Sequence, residues 1–131
     1  MDVVEIRSNE HVGAARRQVQ ARAVALGLST LEVTKFVTAA SELARNVLAH
    51  GGGGTMTVLE VRRDGKPGLQ LDFDDQGPGI TDVSLALHDG YTTANSLGLG
   101  LGGAKRLVHE FEITSSPGAG THVRIVQWKR R

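Results

Sequence analysis

Three short stretches of this chain hold side chains or backbone suited to chemistry: Glu42 with Asn46, Asp75 with the glycines that follow it, and the run Gly98-Leu99-Gly100-Leu101-Gly102-Gly103. Glu42 and Asn46 are four residues apart, so on a helix they lie one turn above each other on the same side. Taken alone, that pair reads as a solvated helix face. Asp75 says more. Leu69, Leu71 and Phe73 share a strand parity that faces a core, and Asp75 continues it, delivering a carboxylate inward at a strand end. Such a group is costly to bury without a hydrogen-bond donor. Gly77 and Gly79 follow at once and let another molecule approach the backbone. A purine amino group would suit as the donor; the alternative is a capped turn in which Asp75 bonds its own loop.

The glycine run opens a helix that includes Lys105. Glycine-rich backbone at a helix start offers unpaired N–H groups and partial positive charge, which suits phosphate; a merely flexible loop is the other reading. The run matches G-x-G-x-x-G, but a dinucleotide fingerprint must follow a buried strand. Here the preceding residues are Tyr91-Thr92-Thr93-Ala94-Asn95-Ser96, and the G-x-x-x-x-G-K-[ST] pattern of a P-loop is missing. His11, His50, His88, His109 and His122 are scattered without the spacing of a zinc site.

These residues need elements to position them. Val3, Val4 and Ile6 suit an edge strand, and Ser8 or Asn9 can cap a helix carrying Val12, Ala15, Val19 and Ala23, stopped by Gly27. Ser29-Thr30-Leu31-Glu32 reads as a capping box. From Val33 to Leu48 apolar residues recur at helical spacing for over four turns, up to the glycines Gly51–Gly54, which makes this the strongest helix signal in the chain. Thr55–Val61 and Leu69–Asp74 predict strands, with Asp64-Gly65 and Pro67-Gly68 as turn chemistry between them. Leu101, Ala104, Leu107 and Val108 predict a further helix, and Phe111–Thr114 with Thr121–Gln127 a closing pair of strands around Pro117-Gly118. The fold class expected is α+β, a two-layer sandwich with a mixed, mostly antiparallel sheet and helices on one face.

Composition narrows the function classes. The chain has 131 residues, the length of one ordinary domain, with 40% apolar and 22% charged residues, enough to bury a core. Fifteen lysines and arginines against fourteen acidic residues argue against a nucleic-acid binder driven by bulk charge. There is no cysteine, hence no disulfide framework or thiol chemistry. The charged N-terminus is unlike a signal peptide, and no stretch approaches a membrane span, so a cytoplasmic protein is the expectation.

The order of the pieces is more specific than any one of them. E-x-x-x-N on a helix, D-x-G-x-G after a strand, G-x-G-x-G into a helix and Gly120-Thr121 before a last strand resemble the sequence boxes of the GHKL ATPase and kinase superfamily, across nearly the whole chain. Within it, the small size, Ser41–Asn46, Asp89–Thr93 and Gly98–Leu107 are similar to the serine/threonine switch kinases of the bacterial stressosome. The resemblance implies the Bergerat ATP-binding fold and the use of ATP with magnesium. It assigns Asp75, with Thr121 nearby, to adenine, and Gly77 and Gly79 to the first glycine box. The backbone of Gly98, Leu99, Gly100, Leu101, Gly102 and Gly103 would hold the phosphates, with Lys105 assisting. Asn46 would hold magnesium, Glu42 would be the general base, and Pro78–Leu97 the lid. The implied substrate is a serine or threonine on a STAS-domain antagonist protein, and the released kinase would activate a PP2C-type phosphatase. In the related anti-sigma factors the same fold sequesters a sigma factor, and Asn46–His50 resembles those proteins too. Neither nucleic acid nor membrane is among the implied partners.

Overall fold

The structure, a computed structural model, describes residues 1–80, 83, 87 and 100–130. In chain order these form β1 (Asp2–Ile6), α1 (Asn9–Leu26), α2 (Thr30–Ala49), β2 (Gly54–Arg63), β3 (Lys66–Asp75), α3 (Leu101–Leu107), β4 (Glu110–Ser115) and β5 (Thr121–Trp128). The helix ends follow the local chemistry. Ser8 caps α1 by accepting from the His11 N–H, and Gly27 closes it in the left-handed region at φ 96°. Ser29 caps α2 by accepting from the Glu32 N–H at 3.2 Å. The Glu32 carboxylate does not fold back as a capping box would; it meets His109 Nε2 at 3.0 Å. A tertiary partner has displaced the local one.

The five strands stand in the order β1-β2-β3-β5-β4. Every described pairing is antiparallel, so the mixed character expected of the sheet is absent among the described residues. The reason is topological. β5 enters between β3 and β4 and separates the two strands that would otherwise run parallel. The β2–β3 hairpin is also tighter than its sequence suggested. Its turn is Asp64-Gly65 alone, with φ 53° and 79°, the left-handed pair that a two-residue hairpin loop requires. Pro67 and Gly68 belong to β3, opposite Arg62 and Val61. The Trp128 ring lies over Gly68, where a Cβ would strike it.

Helices α1 and α2 cover one face of the sheet. Phe36, Leu43 and Val47 of α2 are buried with Met56, Val58, Leu71, Phe73 and Ile125 of the strands. Burying side chains of this size contributes about 1.5–3 kcal/mol each, and it fixes α2 as a stiff spar across the sheet. Asp72 lies on the opposite face, where it accepts from Arg124 Nε and contacts His122 Nε2, each at 2.8 Å. Burial alone would raise the Asp72 carboxyl, but hydrogen bonds from Arg124, His122 and Gln70 overcome it and hold the group below the usual carboxylate range. Among the described residues no helix is long and apolar enough to cross a membrane.

Candidate functional site

The C-terminal end of α2 stands over the end of β3 and the start of β5. Asp75 is paired in register with Gly54 on one side and Thr121 on the other. Asn46, Asp75, Gly79, Leu101 and Thr121 line one cleft, with Leu43, Val47, Phe73, Ile80 and Val123 as apolar walls. Helical spacing puts Asn46 there, strand parity Asp75, and the first residue of a central strand Thr121.

Asp75 makes the capped turn that was one of its two sequence readings. Its Oδ1 accepts from the Gly77 N–H at 2.9 Å, a turn cap within its own loop. Among the described residues its Oδ2 has no hydrogen-bond donor, and it lies against Gly51, where a Cβ would overlap the carboxylate. Gly77 is packed just as closely on the α2 terminus, a Cβ there falling 2.7 Å from the Gly51 Cα and 2.9 Å from the His50 carbonyl. Glycines on both sides therefore let the Asp75 loop sit on the helix end.

Glu42 stands one turn before Asn46. It is ion-paired with Arg45, and its Oε2 lies where a Cβ on Gly100 would be only 2.6 Å away. Gly100 is the left-handed N-cap of α3, at φ 63°, and its carbonyl accepts from the Ala104 N–H at 2.9 Å. Gly102 is buried in α3, and Gly103 has nothing within 4 Å of its Cβ position. Lys105 is exposed and does not line the cleft. Gly98, Leu99 and most of the expected lid, residues 81–82, 84–86 and 88–97, lie outside the described residues.

Beyond the apolar walls, three residues that sequence reasoning did not assign either line the cleft or bond to a residue that does. His50 and Gly51 line the cleft, although they read as no more than the end of a helix. Ser115 bonds both Thr121 and the backbone of Ile80. Nothing local marks Ser115, because the bond that ties it to the Asp75 loop comes from Ile80, 35 residues back.

The model of the histidine kinase-like ATPase domain matches residues 7–127. The chain belongs to this family. Among relatives of the histidine kinase-like ATPase family, the serine/threonine-protein kinase RsbT of Bacillus subtilis (strain 168) is 39% identical over 127 residues, covering 97% of this chain and 96% of RsbT. The anti-sigma F factor of Caldanaerobacter subterraneus subsp. tengcongensis is 28% identical over 134 residues, covering 98% of this chain and 92% of that protein. A structure of RsbU and RsbW domains from Mycobacterium tuberculosis superposes on all of this chain with a TM-score of 0.65 at 18% identity; the match spans 34% of that longer chain. The catalytic domain of histidine kinase ThkA gives 0.54 at 13% identity, covering 98% and 97% of the two chains. These likenesses show the fold, two layers with an open antiparallel sheet.

A metal would find few protein ligands here. Among the described residues, no group of three or more His, Cys, Asp or Glu could hold an ion. Magnesium bound with a nucleotide commonly keeps water and phosphate oxygens and takes only one or two protein ligands. Asn46, which lines the cleft, carries a side-chain oxygen of the kind magnesium takes as a ligand.

Proposed function

We propose that this protein is an ATP- and magnesium-dependent serine/threonine kinase that phosphorylates a STAS-domain antagonist protein and, once released from it, activates a PP2C-type phosphatase. The observation that carries the proposal is the convergence of Asn46, Asp75 and Thr121, from three separate elements, on one cleft with Glu42 beside the glycine run. The 39% identity to a serine/threonine kinase over nearly the full length supports the choice of acceptor.

In this reading Asp75 accepts from the adenine amino group, held in place by its bond to Gly77. The apolar walls exclude water around the base. Backbone amides of the run from Gly98 to Gly103 hold the phosphates, and Lys105 reaches them only by extending from its exposed position. Magnesium, held by Asn46, would neutralise phosphate charge. Glu42 orients the acceptor hydroxyl and takes its proton. The hydroxyl oxygen then bonds the γ-phosphorus as the bond to the bridging oxygen breaks and ADP leaves. Such transfer depends chiefly on positioning and charge stabilisation.

A second reading, a binding module that sequesters a sigma factor, draws on the 28% identity to an anti-sigma factor across 98% of the chain. Incubation with magnesium-ATP, a STAS-domain protein, a PP2C-type phosphatase and sigma factors separates the two. Phosphate incorporated into the STAS protein, with faster release of the product than of the unmodified form, is the expected result. A phosphoserine adds about −1.5 to −2 charges at an interface that already faces Glu42 and the nucleotide. Stable capture of a sigma factor without transfer to any STAS protein would replace the kinase reading with the binding one.

A further inference from the structure

The turn between β4 and β5 is locked onto the loop that follows Asp75. The Gly118 N–H donates to the Pro78 carbonyl at 2.7 Å, and Gly79 packs so closely on the Ser116 carbonyl that a Cβ would overlap it. At the centre is the half-buried Ser115, whose Oγ has three polar neighbours. It accepts from the Ile80 N–H at 2.8 Å, lies 3.0 Å from the Gly120 carbonyl, and lies 2.8 Å from Thr121 Oγ1.

A hydroxyl has one hydrogen and two lone pairs, and that determines the polarity of the network. The Gly120 carbonyl can only accept, so the Ser115 hydrogen points to it. One Ser115 lone pair is taken by the Ile80 N–H. The contact to Thr121 is then a hydrogen bond only if Thr121 donates. The reverse direction would leave two oxygens, Ser115 Oγ and the Gly120 carbonyl, facing each other 3.0 Å apart with no hydrogen between them. With its hydrogen committed to Ser115, Thr121 offers the cleft lone pairs alone. Asp75, as a carboxylate, is likewise an acceptor only.

We propose that Ser115 is a positioning residue that holds the Thr121 hydroxyl as a hydrogen-bond acceptor and thereby makes the cleft select a base bearing an amino group over one bearing a carbonyl at the same position. This rests on the ATP-binding reading above and adds to it the residue that sets base selectivity. A 6-amino purine brings donor hydrogens to two acceptors. A 6-oxo purine brings a carbonyl oxygen against the same lone pairs, and its nearest donor, the N1–H, is offset from that position. Freed from Ser115, Thr121 can rotate and donate, and the site accommodates either base.

The test compares ATP with inosine triphosphate, which has the same ribose and phosphates but a 6-oxo base. Dissociation constants are measured by calorimetry with magnesium. Wild type prefers ATP. Ser115→Ala narrows the preference by about 5- to 10-fold, one hydrogen bond's worth, chiefly by strengthening the binding of inosine triphosphate. Ser115→Thr, which restores the hydroxyl, restores the preference. Ser115→Cys keeps the volume with a poor acceptor and behaves like Ser115→Ala, which keeps the test open where the alanine variant fails to fold. In a Thr121→Val background Ser115→Ala changes the preference no further, because the two act through one bond. An unchanged preference in folded Ser115→Ala and Ser115→Cys, or an equal Ser115→Ala effect with and without Thr121, overturns the proposal while ATP binding itself stands. Failure of the wild type to bind either nucleotide overturns the ATP reading and this one with it.

Discussion

The two ends of the sheet each hold a polar cluster built between α2 and β5, and they differ in what they leave unbonded. At the end away from the cleft, His109 Nδ1 accepts from the Trp128 N–H at 2.8 Å. The ring hydrogen therefore sits on Nε2 and points to Glu32. The side-chain oxygen of buried Gln127 accepts from the His109 N–H, and its amide faces the carbonyls of Glu32 and Leu107. Each of these polar groups is used within the fold. At the cleft end, Asp75 spends one oxygen on Gly77, and Thr121 spends its hydroxyl contact on Ser115. Among the described residues acceptor capacity remains on both, and both line an apolar-walled cleft. A polar residue at a strand end is thus not a functional signal in itself; the unspent hydrogen-bonding capacity is.

That contrast predicts opposite phenotypes at the two ends. The largest effect is expected at Glu42. Glu42→Ala lowers phosphate transfer by about 10²–10⁴-fold, the usual contribution of a positioned base, with ATP affinity and thermal midpoint little changed. Single-turnover transfer at wild-type rate would remove Glu42 from the chemistry. Asp75→Asn comes next. It replaces a charged acceptor with an amide that can present a donor, and ATP affinity falls by roughly 10- to 100-fold, from a charged hydrogen bond worth about 1.5–3 kcal/mol. Calorimetry with magnesium-ATP reads this, and chemical denaturation shows whether stability has stayed in place.

The closed cluster responds the other way. Gln127→Leu removes the partners of the His109 N–H and of two carbonyls, costing about 1–3 kcal/mol of stability in a denaturation curve, with ATP affinity unaltered. A large loss of ATP affinity there would mean that the two ends are coupled through α2. The smallest effect is on the outer face of the sheet. Because the Asp72 carboxyl is held below its ordinary range in the folded chain, its stabilisation is present above the unfolded pKa and fades as pH falls through the folded one. The wild type should exceed Asp72→Asn by about 0.5–1 kcal/mol near neutral pH, discounted for solvent screening, and the gap should close as pH drops below about 4. A gap that is flat with pH would assign Asp72 a packing role only.

Sequence alone determined what is local in this protein. A short polar side chain caps a helix wherever the next turn offers an N–H, so the start of α1 could be read at Ser8 or Asn9 and that of α2 at Ser29. Side chains alternate across a strand, so Asp75 could be placed on the inward parity before any partner was known. Of the residues singled out in the sequence, Asn46, Asp75, Gly79, Leu101 and Thr121 line one cleft. Only the tertiary structure decided which strands became neighbours: β5 slips between β3 and β4 and makes every described pairing antiparallel. It also decided that Glu32 abandons its capping box for His109, 77 residues away, and that Ser115 meets Ile80, 35 residues back. The physical reason is that a hydrogen bond between distant residues leaves no periodicity in the chain. Its partners are set by how α2 and the strands pack, and that packing is a property of the whole fold.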